Sequence, residues 1–200
     1  MSESWQQACD AWRIYSEEMT ALSRHLDPAT WAALMAELRG CKGKVVVTGV
    51  GTSGIAARKI AHMLACVERP AIYLNATDAA HGDLGFVGPD DLVIMLSRGG
   101  NSEELTRLLP GLAMKDTPIL CVTENPSSAI ALASRLVIST GVQREIDPLN
   151  MLATTSIVLV LAIFDAACAC LMSESGYSKE TLLAVHPGGD VGLTLRKKAP

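Results

Sequence analysis

Two glycine- and serine-rich segments combine residue types that bind phosphate with a position at which such binding occurs. The first is Gly-Val-Gly-Thr-Ser-Gly from Gly49 to Gly54, and the second is Ser-Arg-Gly-Gly-Asn-Ser from Ser97 to Ser102. Each follows an apolar run and precedes a helical pattern. Glycine permits a tight strand-to-helix turn and leaves backbone N–H groups uncovered, and at the positive end of a helix these groups bind anions. Two such turns in one domain indicate a small phosphorylated ligand.

The first segment also matches the dinucleotide-binding pattern G-x-G-x-x-G. A nicotinamide-binding fold carries an acidic residue at the end of its second strand, where that residue holds the ribose. Here the second strand is predicted to end at Asn75, and Asp78 lies beyond it, so the dinucleotide interpretation is the weaker one. A glycine turn with a purely structural role stays open as a further alternative.

The second segment offers serine hydroxyls at a predicted helix start, which suits a phosphate dianion, although Ser102 could serve only as an N-cap. We assign the hydroxyls of Ser53, Ser97 and Ser102 to the phosphate. The full set of predicted substrate-binding residues is Gly51, Thr52, Ser53, Ser97, Gly100, Asn101 and Ser102.

Two of the four histidines lie in glycine-containing loops, His81 in His-Gly-Asp-Leu-Gly and His186 in His-Pro-Gly-Gly. Because imidazole exchanges protons near neutral pH, both are acid/base candidates. The alternative for either is a capping or hydrogen-bonding role. His25 and His62 fall in helical patterns, and we expect them to be structural.

Glu145 lies in a charged loop between apolar elements, where a solvated charge is the default interpretation. The loop is expected near the carboxyl edge of the sheet. A carboxylate that loses solvent there has a raised pKa and is a better base for a carbon acid. A catalytic role for Glu145 is therefore the alternative.

Composition narrows the class of protein. The chain has 200 residues, 49% of them hydrophobic and 4% aromatic, and a net charge of −4, which suits one α/β domain without a nucleic-acid partner. Six cysteines occur without a C-x-x-C pair, so we expect reduced thiols in a cytoplasmic protein and no metal site. The N-terminus lacks signal-peptide features. The apolar run over residues 157–172 is short and contains Asp165, so it predicts a buried helix and no membrane span.

Apolar runs predict five strands, over residues 45–48, 71–74, 92–96, 118–122 and 136–139. Helical patterns or caps between and after them predict helices over residues 53–67, 102–114, 125–133, 154–173 and 178–184. This alternation predicts an α/β fold with a doubly wound, mainly parallel five-stranded sheet flanked by helices. Ligands in such sheets bind beyond the carboxyl ends of the strands, where both glycine-serine segments lie.

The chain divides into three predicted parts. Residues 1–40 form a helical pair, over 5–26 and 28–39, that packs on the domain or on a partner subunit. Residues 41–195 form the α/β domain, and residues 196–200 form a frayed tail. The helix over 154–173 is apolar on nearly every face, so we expect part of it, with the apolar face of the first helix, to lie between subunits of a homo-oligomer.

Taken together, five motifs resemble the SIS (sugar isomerase) domain, and they look most like those of the arabinose-5-phosphate isomerases. The motifs lie at residues 49–54, 79–85, 97–104, 147–149 with 153–156, and 186–189. The resemblance extends from about residue 10 to residue 195. His-Gly-Asp-Leu-Gly and the late His-Pro-Gly-Gly are together specific within the SIS group, whereas the first glycine turn alone is not.

This resemblance implies interconversion of D-ribulose 5-phosphate and D-arabinose 5-phosphate, a reaction that supplies 3-deoxy-D-manno-octulosonate for lipopolysaccharide or capsule. The reaction passes through an enediol and needs a base at carbon and an acid at oxygen, but no redox cofactor. The family also implies a homotetramer whose sites contain residues of more than one subunit. Typical members carry a pair of CBS domains after the SIS domain, and because the chain ends at Pro200 we expect that pair to be absent.

Two positions depart from the family's pattern. Thr52 stands where the family usually has a functional lysine, and Asn101 stands where it usually has a functional glutamate. Glu145 and His186 match the family's other two functional positions. We assign Glu145 as the base, His186 as the acid/base at the sugar oxygens, and His81 as the reserve candidate. The departures leave two alternatives open, an isomerase of another sugar phosphate and a non-catalytic sugar-phosphate sensor.

Overall fold

A five-stranded sheet forms the centre of the computed structural model, which describes residues 2–197. The strands are β1 (Val45–Gly49), β2 (Ala71–Asn75), β3 (Leu92–Leu96), β4 (Ile119–Val122) and β5 (Leu136–Ile138). All neighbouring strands run parallel, in the order β2-β1-β3-β4-β5. The direction of winding therefore reverses between β1 and β3, and such a reversal is where open α/β sheets bind ligands.

Helices flank this sheet on both faces. In the described residues they are α1 (Glu3–His25), α2 (Pro28–Gly40), α3 (Thr52–Cys66), α4 (Ala76–Ala79), α5 (Glu103–Thr106), α6 (Leu109–Met114), α7 (Ala129–Leu132), α8 (Thr155–Ser175), α9 (Lys179–Val185) and α10 (Gly189–Lys197). A 3₁₀ helix covers Asp83–Phe86. The predicted N-terminal pair is present, and Asp27 caps α2 by accepting hydrogen bonds from the backbone N–H groups of Ala29 and Thr30.

Every residue of β1 and β3 is buried, because a parallel strand between two helical layers has no face in solvent. Alternate side chains of β1 enter different cores. Val45 and Val47 pack with residues of α2, α3 and α8, whereas Val46 packs with residues of α6 and α7. The doubly wound α/β prediction is therefore confirmed.

By length and composition alone, α8 could cross a membrane, yet half of its most apolar stretch is buried inside this domain. It packs on α3 and α1, and Phe164 at its centre is fully buried. Gly176 ends the helix in the left-handed conformation, with φ of 66°, which glycine adopts without strain. These contacts are those of a core helix, which agrees with the prediction that this run forms a buried helix.

The single helix predicted over residues 102–114 is wrong, because the structure contains two shorter helices, α5 and α6. Pro110 is the physical reason for the break. A proline inside a helix lacks the N–H donor and its ring clashes with the carbonyl four residues earlier, which here belongs to Thr106, the last residue of α5. Pro110 instead occupies the first turn of α6, where no donor is needed.

The frayed tail predicted from residue 196 is wrong for Arg196 and Lys197, which form the last turn of α10. Asp190 in the first turn and these two cations in the last turn complement the helix dipole. The Arg196 guanidinium also donates a hydrogen bond to the carbonyl oxygen of Pro187. Residues 198–200 of the predicted tail lie outside the described residues.

Two short helices also differ from their predicted form. The sequence predicts a loop after β2, but Asn75 caps α4 there by accepting from the backbone N–H groups of Thr77 and Asp78. The helix predicted over 125–133 covers only Ala129–Leu132, because Ser128 rather than Asn125 is its cap. Local side-chain hydrogen bonds thus set both boundaries.

Candidate functional site

A small cavity of about 40 Å³ lies at the carboxyl ends of β3 and β4, beside the N-terminus of α3. This is the side of the sheet on which parallel α/β folds bind ligands. The residues that line it are Ser53, Leu96, Ser97, Arg98, Val122, Thr123, Glu124, Thr140, Ala153, Ser156, Ile157 and Val160. The polar groups come from separate segments of the chain, and two of the serines are predicted phosphate ligands.

The turn from β1 into α3 is closed by glycines. A Cβ atom on Gly54 would lie 2.8 Å from the carbonyl oxygen of Gly49, so only glycine allows this approach. Gly51 is the N-cap of α3 with φ of 59°, and no side chain of the described residues caps that helix. The N–H groups of Thr52 and Ser53 therefore stay available to an anion, and the half-buried Ser53 side chain faces the cavity.

The two serines of the second segment lie together. The hydroxyls of Ser97 and Ser102 are 2.9 Å apart, and the backbone N–H of Gly100 donates to Ser97 Oγ at 3.1 Å. Ser102 stands at the N-cap position of α5, but its side chain does not cap that helix. The alternative in which Ser102 serves only as an N-cap is therefore not what the structure contains, and Ser102 orients the Ser97 hydroxyl instead.

Gly100 and Asn101 hold the loop rather than face the cavity. Gly100 is buried with φ of 67°, and a Cβ atom there would lie 1.9 Å from Ser128 Oγ. The side-chain oxygen of Asn101 accepts from the backbone N–H of Ala129 at 3.0 Å and so caps α7 alongside Ser128. A substrate contact from Asn101 stays a prediction. Because the side-chain oxygen is engaged by Ala129, the amide NH₂ group would make that contact.

Replacing Gly100 with alanine is expected to destabilise the domain by ~2–4 kcal/mol, because a Cβ atom at this φ is strained and overlaps Ser128. In a domain of this size the melting temperature should fall by ~5–15 °C. Gly99→Ala is the matched control, since nothing lies within 4 Å of a Cβ atom there. Thermal unfolding of the two purified variants tests this, and equal melting temperatures would show that the Ser128 contact is not tight.

Glu145 is a fully buried carboxylate that accepts hydrogen bonds on both oxygens. Arg98 Nη1 donates to Oε1 at 2.7 Å. Thr154 donates to Oε2 from its backbone N–H and its hydroxyl, each at 2.9 Å, and the backbone N–H of Ser156 donates at 3.1 Å. The expected solvated charge is therefore wrong, since the side chain exposes 0% of its surface.

The expected rise in the pKa of Glu145 is also wrong. Burial alone raises the pKa of this carboxyl, but the hydrogen bonds from Ser156 and Thr154 outweigh burial and hold the pKa below its ordinary value. Glu145 is thus ionised at neutral pH, as a base must be, but it is a weaker base than the sequence argument expects. Arg98, which is partly exposed and lines the cavity, lies between Glu145 and the site.

Glu124, which sequence reasoning misses, lines the cavity directly after β4. Its carboxylate accepts from the backbone N–H of Thr140 at 2.8 Å, from the Thr140 hydroxyl at 2.6 Å and from the N–H of Gly141 at 3.2 Å. Glu124 therefore joins the segments that follow β4 and β5, beside the cavity. Its position in the sequence could have identified Glu124 as a site residue. It follows an apolar strand by two residues, and the carboxyl end of that strand lies at the ligand-binding edge of the sheet.

The other two predicted catalytic residues do not join Glu145 within one chain. His81 is exposed in the turn between α4 and the 3₁₀ helix, away from the cavity lining. His186 ends α9, and its ring centroid is 6.3 Å from that of His62 on α3. His62 follows Ser53 by nine residues, so it lies ~14 Å further along the helix axis. His186 is therefore at the opposite end of α3 from the cavity of its own chain.

Known proteins resemble this chain in sequence along most of its length. A model of the SIS domain family matches residues 37–170. Arabinose 5-phosphate isomerase KdsD of Shigella flexneri is 39% identical over 155 residues, which is 78% of this chain and 47% of that protein. Arabinose 5-phosphate isomerase GutQ of Escherichia coli K12 is 36% identical over 158 residues, 79% of this chain and 49% of that protein. The chain thus spans about half the length of these curated relatives.

Solved structures share the fold along most of the chain. A Listeria monocytogenes protein proposed to be a sugar-phosphate isomerase matches with a TM-score of 0.90 and 38% identity, over 94% of this chain and 100% of that one. Escherichia coli CFT073 c3406, solved in complex with arabinose 5-phosphate, matches with a TM-score of 0.83 and 30% identity over the same shares of the two chains. With the family model covering the sheet and most of α8, these matches establish that the chain belongs to the SIS domain family, and within it the chain is similar to the arabinose 5-phosphate isomerases.

Proposed function

We propose that this protein is an aldose–ketose isomerase that interconverts D-ribulose 5-phosphate and D-arabinose 5-phosphate through an enediol. The observation that carries the proposal is the cavity at the ends of β3 and β4. An uncapped helix N-terminus, the hydroxyls of Ser53 and Ser97, and Arg98 meet there, and Arg98 is paired with the buried carboxylate of Glu145. The names of KdsD and GutQ and the arabinose 5-phosphate bound to c3406 support the choice of sugar phosphate.

The phosphate end of the substrate is held by the first turn of α3 and the serine hydroxyls. Backbone N–H groups and the helix dipole favour a dianion there. Binding energy from this remote group orients the reacting carbons against the catalytic side chains. Isomerisation then moves one proton between C1 and C2 and one between O1 and O2, so the reaction needs no redox cofactor.

Glu145 is the proposed base at carbon. Arg98 donates to one of its oxygens, so a sugar oxygen or the phosphate must draw Arg98 away before that oxygen can take a proton. Displacing this cation frees Oε1 to accept the carbon proton. Thr154 and Ser156 keep the other oxygen fixed meanwhile. Arg98 thus couples the arrival of substrate to the release of the base.

His186 is the proposed acid/base at the sugar oxygens, with His81 in reserve. Because His186 lies at the far end of α3 from its own cavity, it acts in the site of a neighbouring subunit. This requirement supports the family's homotetramer with shared sites. The proposed physiological setting is the cytoplasm and the supply of 3-deoxy-D-manno-octulosonate.

Thr52 and Asn101, which replace the family's lysine and glutamate, support the two alternatives, an isomerase of another sugar phosphate and a non-catalytic sensor. A panel of pentose and hexose phosphates, assayed without cofactor, identifies the substrate. Proton exchange at C2 in deuterated water separates an isomerase from a sensor, because a sensor binds sugar phosphate without exchange. No turnover and no exchange with any member of the panel would eliminate the enzyme.

Ser97→Ala and Ser53→Ala are each expected to weaken sugar-phosphate binding by ~10-fold or more, because each removes a hydrogen bond to a charged group. The phosphate does not react, so the larger effect should be a rise in KM, with a smaller fall in kcat because the phosphate contacts also orient the reacting carbons. Ser127→Ala is the matched control, since Ser127 is an exposed serine outside the cavity lining. A fall in kcat with an unchanged KM would mean that these serines act on the reacting carbons instead.

A stable homo-oligomer, most simply a tetramer, is expected in solution at micromolar concentration. On α1, Trp5 is 49% exposed and Trp12 is 56% exposed, and their rings stack edge to face. An apolar groove of about 440 Å³ runs between α1, α2 and α8, lined by residues such as Leu22 and Trp31. Burial of this surface between subunits is favourable. Sedimentation equilibrium measures the mass, and a monomer would refute the shared-site proposal.

A further inference from the structure

Three side chains that offer metal ligands meet at the C-terminal end of α3, outside the cavity described above. His62 and Cys66 are four residues apart and so lie on one face of the helix. His62 Nε2 and Cys66 Sγ are 3.5 Å apart. His186 completes the cluster, and one ligand atom from each of the three residues lies within 4.8 Å of the other two.

The chain after α8 is fixed against this end of α3. The Tyr177 hydroxyl donates to the backbone carbonyl of Cys66 at 2.6 Å, which anchors the segment that leads into α9. The backbone N–H of His186 donates to the carbonyl of Leu182 at 2.8 Å, so the imidazole follows directly from the last turn of α9. The three ligands are therefore held by two helices that are tied to each other.

The ring of His186 has an unsatisfied nitrogen. Its Nδ1 is buried and has no hydrogen-bond partner within residues 2–197. Leaving a buried polar atom without a partner is costly, so such an atom in a folded domain calls for an explanation. One explanation is a metal ion at the cluster that binds one of the two nitrogens of the imidazole ring. The neighbouring side chains of His62 and Cys66 would supply the other protein ligands.

We propose that His62, Cys66 and His186 bind a Zn²⁺ ion. Two imidazoles and one thiolate form a donor set that zinc favours. Mg²⁺ and Ca²⁺ prefer oxygen ligands and do not favour this set. A tetrahedral zinc site separates a nitrogen and a sulfur ligand by ~3.6 Å, which agrees with the distance between His62 and Cys66. A ligand atom of His186 lies within 4.8 Å of those of His62 and Cys66, so the ring must move closer to complete the site, and water fills the fourth position.

Zinc binding changes the protonation of one group and involves no redox step. The Cys66 thiol loses its proton to solvent as the sulfur–zinc bond forms, and the neutral imidazoles donate lone pairs. One proton is therefore released per ion bound. The competing explanation is a thiol–imidazole hydrogen bond between Cys66 and His62 alone, which binds no metal and releases no proton.

The test uses the purified full chain after treatment with a chelator. Calorimetry with ZnCl₂ in buffers of different ionisation enthalpy should give one ion per chain and one proton released. Co²⁺ should give the near-ultraviolet charge-transfer band of a cobalt–thiolate bond. Cys66→Ser and His62→Gln should each weaken zinc binding at least ~100-fold, since each removes a direct ligand. Cys9→Ser is the matched control, because Cys9 is also partly buried but lies on α1.

Metal-free melting temperatures separate loss of binding from loss of fold. His62 is exposed, so His62→Gln should unfold at the wild-type temperature without metal and should lose the rise that zinc gives to the wild type. Zinc binding that survives both ligand variants unchanged would overturn the proposal. So would the absence of a cobalt–thiolate band in the wild-type protein. Neither readout depends on isomerase activity, so the zinc proposal is tested separately from the function proposed above. Because a zinc-bound imidazole does not transfer protons, the metal-bound form is distinct from the form in which His186 acts on the sugar oxygens.

Discussion

Replacing Glu145 with glutamine is expected to lower kcat by ~10²-fold or more, the usual size of a general-base effect, while sugar-phosphate binding persists. Glutamine has nearly the same shape, so the loop from Glu145 to Ser156 can keep its path. The amide cannot take a carbon proton, and it removes the negative charge that holds Arg98 at the edge of the cavity. The measurement is kcat and KM for ribulose 5-phosphate, together with the dissociation constant of a sugar phosphate.

The same variant should also change how stability depends on pH. Because the pKa of Glu145 lies below its ordinary value of 4.5, the ionised carboxylate contributes stability that is fully present above that value. The contribution is lost as the pH falls from there through the lower pKa of the folded state. The melting temperature of Glu145→Gln should therefore fall less steeply than that of the wild type below about pH 5.

Glu103→Gln is the control for a general loss of negative charge. Glu103 is exposed on α5, where it pairs with Arg107 four residues later, and surface pairs of this kind contribute little to stability. Its kcat and melting temperature should match those of the wild type. A near-normal kcat for Glu145→Gln would mean that Glu145 only positions Arg98 and the loop. His81 would then become the leading base, and His81→Gln would be the variant to measure.

Much of the fold follows from local sequence. Buried parallel strands are apolar along their whole length, so Val45–Gly49 and Leu92–Leu96 can be predicted to within a residue or two. Helix boundaries are less predictable because they depend on single hydrogen bonds. Ser128 rather than Asn125 caps α7, and the sequence offers both residue types as caps. The break before Pro110 can be predicted from the proline itself, although the helical periodicity of the flanking residues suggests one continuous helix.

The candidate site shows where sequence reasoning ends. Ser53 and Ser97 can be placed at the ligand-binding edge because each follows a predicted strand. The pairing of Arg98 with Glu145 joins residues 47 positions apart, and no local pattern specifies it. The direction of the pKa shift depends on donors from Thr154 and Ser156 that only the folded loop supplies. Burial alone, which the sequence does suggest, predicts the opposite direction.

His186 illustrates a third kind of limit. Its loop position can be read from the sequence, but the end of α3 at which it lies cannot. The segment after α8 returns to the C-terminal end of α3, where the Tyr177 hydroxyl donates to the carbonyl of Cys66, so the imidazole meets His62 rather than its own cavity. A residue that matches a catalytic position yet lies far from the cavity of its chain is most simply explained by a site completed between subunits.

Mixing two inactive variants is therefore expected to restore activity. His186→Ala should lower kcat about as much as Glu145→Gln, since each removes one of the two groups proposed to transfer protons. If each site takes Glu145 from one subunit and His186 from its neighbour, random pairing leaves about one site in four with both groups intact. Hetero-oligomers of the two variants should thus recover ~25% of the wild-type kcat per chain, against ~1% or less for either variant alone.

The experiment requires oligomers that contain both variants and a His186 side chain that binds no metal. Co-expression of the two variants with different affinity tags, followed by purification through both tags, selects mixed oligomers. Assays in the presence of a chelator keep His186 free of any ion bound with His62 and Cys66. The matched control mixes the wild type with a double variant that carries both Glu145→Gln and His186→Ala. If sites are shared between subunits, about a quarter of the sites in these oligomers stay intact. If each site lies within one chain, about half stay intact. If mixed oligomers of the single variants stay as inactive as their parents, Glu145 and His186 do not share a site across subunits, and the assignment of His186 passes to His81.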